Sequence, residues 1–365
     1  MNNQPDTPVA IMPLRFQLSF EQIPDDEAET SRELAETLRQ IMETTFKDNG
    51  HANRSVHAKG HGLLRGKVTI LEGLPAELAQ GAFAKPATLP AFLRFSTNPG
   101  DVLDDKVSTP RGLALKIVGV EGSRLPGSEG QVTQDFVTEN AKAFTSATPK
   151  AFLKTLKMLA KTTDKAPGMK KALSAALRGV ESLVESVGGE SATLKSLGGH
   201  PQTHILGETF TTVVPILYGP YYAKLAIVPV SPSLTELTDL KVELKGDPDG
   251  LRHAVEAFFR QNGGIWELRV QLATDIEKMP IEDASVKWSE ALSPYVTVAR
   301  VEVEPQAAWD DEKVRDIDDG MAFSPWHGLA AHRPLGGIMR VRRPSYEMSA
   351  QFRATHNGCP IHEPR

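Results

Sequence analysis

Ala91-Phe92-Leu93-Arg94-Phe95-Ser96-Thr97 and the later run Arg111-Gly112-Leu113-Ala114-Leu115-Lys116-Ile117-Val118-Gly119-Val120 are read as two β-strands. Both are short, rich in apolar and β-branched residues, and bounded by Pro, Gly or Asn, the punctuation that ends strands. Within the first, Arg94 and Ser96 stand two apart and so share one face. If that face is buried, the guanidinium needs an anionic partner, because an isolated buried charge is prohibitively costly. The acidic group of a ligand or a surface carboxylate would each serve.

Working outward, strand signals appear at 67–70 and resume at 211–217, 222–230, 265–273 and 296–303. Residues 19–46 carry Leu34, Leu38, Ile41 and Met42 at helical spacing, which predicts an amphipathic helix. Residues 147–198 are dominated by Ala, Leu and Lys and broken at Pro167-Gly168, predicting a helical insertion of two helices. Its lysines, Lys154 and Lys157 among them, read as a solvated face. A further helix is expected over 247–262, with Asp247 as N-cap. A last one is expected over 344–355, with Pro344 in its first turn and Gly358 past its end. The order points to an α+β fold: a closed antiparallel β-barrel of about eight strands with surrounding helices. Residues 1–18 are expected to form a flexible arm and 19–365 a single domain.

Composition narrows the function. The 365 residues are 40% hydrophobic and 24% charged, with a formal net charge of −5. That charge gives no electrostatic reason to expect nucleic acid as partner. No apolar run approaches the roughly 20 residues of a membrane span, and residues 1–20 lack the features of a signal peptide. One cysteine, Cys359, excludes an intrachain disulfide. Together these predict a cytoplasmic protein.

Four clusters carry chemistry. Arg54-Ser55-Val56-His57-Ala58-Lys59-Gly60-His61, with His51 nearby, offers three histidines, but no His-Glu-x-x-His pattern or cysteine pair supports zinc. The second is Arg94 to Thr97 followed by Pro110-Arg111-Gly112. The third, Asp135-Phe136-Val137-Thr138-Glu139-Asn140-Ala141-Lys142-Ala143-Phe144, reads on its own as a polar turn before an apolar position. The fourth is Arg340-Val341-Arg342-Arg343-Pro344-Ser345-Tyr346, with Arg353 beyond. Guanidiniums beside a phenol favour its ionised form, and a tyrosinate is a hard ligand suited to the ferric iron of haem. An exposed basic helix with a half-buried Tyr is the alternative.

In order and separation these clusters resemble the signature segments of haem catalases and their shorter relatives, over roughly residues 50–355. The resemblance implies haem, of the b type, with Tyr346 as the iron ligand on a C-terminal helix and Arg342 compensating its charge. It implies His57 as the distal histidine, oriented by Ser96, and Val56 narrowing the approach. Arg54, Arg94 and Arg353 would hold the propionates, Asn140 would supply the distal amide, and Phe144 an apolar wall. The implied activity is peroxide decomposition as a catalase or peroxidase, with hydrogen peroxide or an organic hydroperoxide as substrate and an electron donor of unspecified identity.

The chain departs from that family in several ways. It is expected to lack the C-terminal helical domain of full-length catalases and to form a homo-oligomer smaller than their tetramer, with peroxidase chemistry favoured by a shorter route to the haem. Counted without gaps from Asp135, Glu139 falls in the amide slot; Asn140 is preferred because a carboxylate would repel deprotonated peroxide. Pro344 disfavours a helical Arg343 and so places the helix start between Arg342 and Tyr346. Two other functions compete. One is a fatty-acid hydroperoxide isomerase or dehydratase resembling allene oxide synthase, which carries Thr where this chain has Val56. The other is a non-catalytic haem-binding protein.

Overall fold

The computed structural model describes residues 12–160 and 200–365. Among these residues, nine antiparallel strands are connected in the order β5-β4-β3-β2-β1-β9-β8-β7-β6. They are β1 (Gly60–Ile70), β2 (Thr88–Thr97), β3 (Arg111–Val118), β4 (Thr133–Glu139), β5 (Phe210–Thr211), β6 (Ile216–Tyr218), β7 (Tyr221–Pro229), β8 (Gly264–Leu272) and β9 (Val296–Val303). Because β5 also pairs with β7, the sheet closes on itself through eight strands, leaving β6 as a hairpin partner outside the ring. Closure removes the open edges that would otherwise invite pairing with another chain.

Side-chain alternation fills the barrel. Leu93 and Phe95 of β2, Leu113, Leu115 and Ile117 of β3, and Phe136 of β4 point inward, meeting Trp266, Leu268 and Val301 from the far side. Helix α3 (Gly250–Phe259) adds Val255, Phe258 and Phe259 to this core. It falls within the span expected to be helical, with Asp249 rather than Asp247 at its N-cap.

Among the described residues, three helices cover the outside: α1 (Glu27–Asn49), α2 (Pro149–Ala160) and α4 (Gly337–Asn357). Leu34, Leu38, Ile41 and Met42 are buried on α1, as their spacing predicts. The helix starts at Glu27 rather than Ser19, because Pro24 biases Ile23 toward extended backbone. Of the predicted insertion over 147–198, α2 is observed and 161–198 lie outside the described residues. The end of the arm expected to be flexible is tied down: the N–H groups of Leu14 and Phe16 donate to Ala273 O at 2.7 Å and Pro220 O at 2.9 Å.

The largest departure is α4. It begins at Gly337, so Pro344 sits inside the helix rather than in its first turn. Tertiary packing outweighs the lost backbone bond. Ile338, Met339 and Val341 are buried, while Arg340 pairs with Glu21 at 2.9 Å and with Glu27 and Glu282 at 2.8 Å each. Among the described residues no helix is long and apolar enough to cross a membrane.

Candidate active site

Register stacks the outward residues of β2, β3 and β4 into cross-strand rows. Ser96 lies opposite Gly112 and Gly112 opposite Glu139; Arg94 lies opposite Ala114 and Ala114 opposite Val137. Between this face and α4 is a cavity, partly open to solvent, lined by Arg54, Val56, His57, Arg94, Ser96, Phe323, Arg342, Tyr346 and Arg353 among others. An adjoining chamber shares Val56, His57, Arg342 and Tyr346. Its further walls are mostly apolar, with Ile41, Phe144, Phe152, Leu156 and Val213 beside the polar Asn98 and Glu139.

His57 stands just before β1 with φ 55°, a left-handed conformation that His tolerates better than most side chains. Its N–H donates to Asn98 O at 2.7 Å, and Nδ1 lies 3.1 Å from Ser96 Oγ. Burial, then the positive charges of Arg94, Arg342 and Arg54, pushes the imidazole down to about 3. The ring is therefore neutral at neutral pH, with Nε2 left to take a proton. It lies over Gly112: a Cβ there would fall 2.6 Å from Cε1 and 2.7 Å from Nδ1. Gly112→Ala is accordingly expected to displace the ring and break its contact with Ser96, at a cost of order 1–3 kcal/mol from overpacking. The imidazole resonances of His57 and a urea titration check this; an unmoved ring would refute it.

On α4, Arg342 and Tyr346 are one turn apart and so neighbours on the helix surface. Arg342 Nη2 donates to Tyr346 Oη at 2.8 Å, and its guanidinium carbon stands 5.9 Å from the Phe144 ring centroid. This contact, placed in question by Pro344, exists because the helix runs unbroken through the proline.

Three more arginines converge on Asp318, which a π-type turn over Val314–Asp319 carries to the cavity. Arg54 Nη1 donates to Asp318 Oδ1, Arg94 Nε donates to the same oxygen at 2.8 Å, and Arg353 Nη1 donates to the Asp318 carbonyl at 2.8 Å. Although burial works against ionisation, the charges of Arg94 and Arg54 hold the Asp318 carboxyl below the usual range. Arg353 is pushed down to about 10 by burial.

Asn140 does not join the others, which corrects the expectation for it. Glu139 is directly opposite Gly112, and the next residue along an alternating strand faces the other way. Asn140 Oδ1 accepts from Arg111 N at 2.8 Å, and its amide nitrogen meets His200 Nε2 at 2.7 Å and donates to Glu208. The residue at the adjoining chamber is Glu139, whose Oε1 accepts from Asn98 Nδ2 at 2.9 Å. The zinc alternative loses its cluster: His51 pairs with Asp319 at 3.0 Å and His61 is buried 3.2 Å from Thr97 Oγ1. Sequence reasoning missed Asp318 and Asn98. The arginine surplus demanded an anion, but nothing local to Asp318 marks it as that anion.

No family model and no curated protein matches the chain. Solved structures do. A fungal catalase superposes with a TM-score of 0.59 at 17% identity, over 86% of this chain and 62% of its own. The fold is catalase-like. Catalase A from Saccharomyces cerevisiae gives 0.59 at 17%, over 87% and 64%, and a bacterial catalase 0.58 at 16%, over 98% and 67%. The chain thus spans about two thirds of the length of these proteins. Likeness at such low identity is one of fold, and activity has to be argued from the site.

Proposed function

We propose that the protein is a haem-dependent oxidoreductase that decomposes peroxides. The observation that supports this best is the convergence, on one cavity, of the His57–Ser96 pair and the Arg342–Tyr346 pair from opposite ends of the chain. The residues fit haem in three respects. A phenol with a guanidinium partner is a donor suited to ferric iron. Arg54 and Arg94 share the carboxylate of Asp318 and Arg353 binds the backbone carbonyls of Asp318 and Asp319, a concentration of positive charge that two propionates would neutralise. Among the described residues, Arg353 Nε and Ser345 Oγ are buried at this cavity without a hydrogen-bond partner.

In this reading Tyr346 holds the iron, Arg342 compensates the phenolate, and the three arginines hold the propionates. When bound, the haem supplies the redox chemistry of peroxide cleavage. The chain supplies the rest. Nε2 of the neutral His57 accepts the peroxide proton and returns it to the leaving oxygen, as general base and then acid. Ser96 fixes the imidazole, and Val56 with Phe144 limits water near the reacting atoms. The apolar chamber extends the substrate range to organic hydroperoxides.

The test is optical. The purified protein, as isolated or reconstituted with haem b, is expected to show the absorption of tyrosinate-ligated ferric haem. Tyr346→Phe is expected to abolish uptake or shift that spectrum. A colourless protein that takes up no haem would refute the reading, and an unaltered Tyr346→Phe spectrum would refute the ligand.

A further inference from the structure

We infer that Glu139 is the acid that meets the substrate beside His57: its protonated carboxyl donates a hydrogen bond to an oxygen of the peroxide, the substrate class proposed above, on which this inference rests. Geometry carries it. Strand register sets Glu139 opposite Gly112, the same glycine over which the His57 ring lies. Imidazole and carboxyl thus flank one bare backbone position. The Glu139 residue is only 8% exposed, and it lines the chamber that also contains His57 and Tyr346. Asn98 Nδ2 donates to Oε1, which leaves Oε2 to carry the proton.

Among the described residues, the charged and titratable groups that line the chamber with Glu139 are Arg342 and Tyr346 of α4, His57 from the loop before β1, Asp135, and His332, which burial pushes down to about 4. On its own strand, Asp135 is paired with Lys116 at 2.8 Å. Burial outweighs the charge of Arg342 and the Asn98 hydrogen bond, and pushes the Glu139 carboxyl up to about 7. A carboxyl held in that range is a hydrogen-bond donor on the acid side and an anion on the alkaline side. The anion would repel deprotonated peroxide, so the same side chain sets an upper pH limit on the site. His57, neutral down to about 3, sets no competing limit near neutrality.

The experiment compares wild type with Glu139→Gln, which keeps a neutral donor, and Glu139→Ala, which has none, all loaded with haem. In pH-difference infrared spectra the wild type is expected to show the carbonyl stretch of a protonated carboxyl that disappears above about pH 7 and is absent from Glu139→Gln. With hydrogen peroxide, wild-type kcat/KM is expected to fall about tenfold per pH unit above that point. The Gln variant should stay level there, and the Ala variant should also stay level, about 10²-fold below the Gln variant. A missing infrared band shows Glu139 ionised and overturns the inference. A band with identical pH profiles in wild type and Glu139→Gln overturns the substrate contact while leaving the haem reading intact. Failure of the wild type to take up haem takes both down.

Discussion

Replacing His57 with asparagine is expected to leave haem uptake intact and to lower peroxide turnover about 10²–10⁴-fold, the usual worth of a positioned general base. Asparagine is the informative substitution because the backbone here has φ 55°, which Asn adopts with little strain, so loss of fold is not confounded with loss of the base. The imidazole contributes no haem contact that the arginines and Tyr346 do not already provide in the proposed reading. Its own role depends on neutrality, which burial and the surrounding guanidiniums enforce. Stopped-flow consumption of hydrogen peroxide, normalised to haem absorbance, measures the effect. Undiminished turnover would remove His57 from the chemistry and favour a haem-binding protein without catalysis.

How much of this site was legible before the structure depends on which physical rule each residue obeys. Arg94 and Ser96 were legible because alternation is a local property of one strand, whereas the turn that joins Arg342 to Tyr346 was put in question by Pro344 and became legible only with the helix itself. Closure of the barrel was legible only as a class: β5 has two residues, too few to give a periodic signal, yet its pairing with β7 completes the ring. Propensity misplaced the start of α4, since Pro344 is tolerated through buried Ile338 and Val341 and the acidic residues around Arg340, contacts distant in sequence. Glu139 and Asn140 show the same limit differently. Chemical preference favoured the amide, while the register of β3 against β4, invisible in one sequence, places the carboxyl at the adjoining chamber.

Asp318→Asn should destabilise the haem-free protein by about 3–5 kcal/mol, the range for breaking a buried ion pair by removing one partner. Asp318 accepts from both Arg54 and Arg94, and its side chain is 16% exposed, so solvent screening relieves little of the cost. Asparagine keeps the shape and removes the carboxylate that these two guanidiniums share, leaving Arg54 to burial and the like charges of Arg353 and Arg94, which already push it well down. The pH dependence has a fixed sign. A carboxyl whose folded pKa lies below its unfolded value of 3.8 contributes fully above that value, and the contribution is lost as pH falls through the folded one. The gap between wild type and Asp318→Asn in urea unfolding is therefore expected to be constant near neutrality and to shrink below about pH 4. Haem should narrow it as well, because propionates bring anions to the same guanidiniums and ligand binding to the folded state adds stability. A gap below about 1 kcal/mol, the value of an exposed pair, would mean that the arginines are satisfied without Asp318. A gap indifferent to haem would mean that they do not meet the propionates.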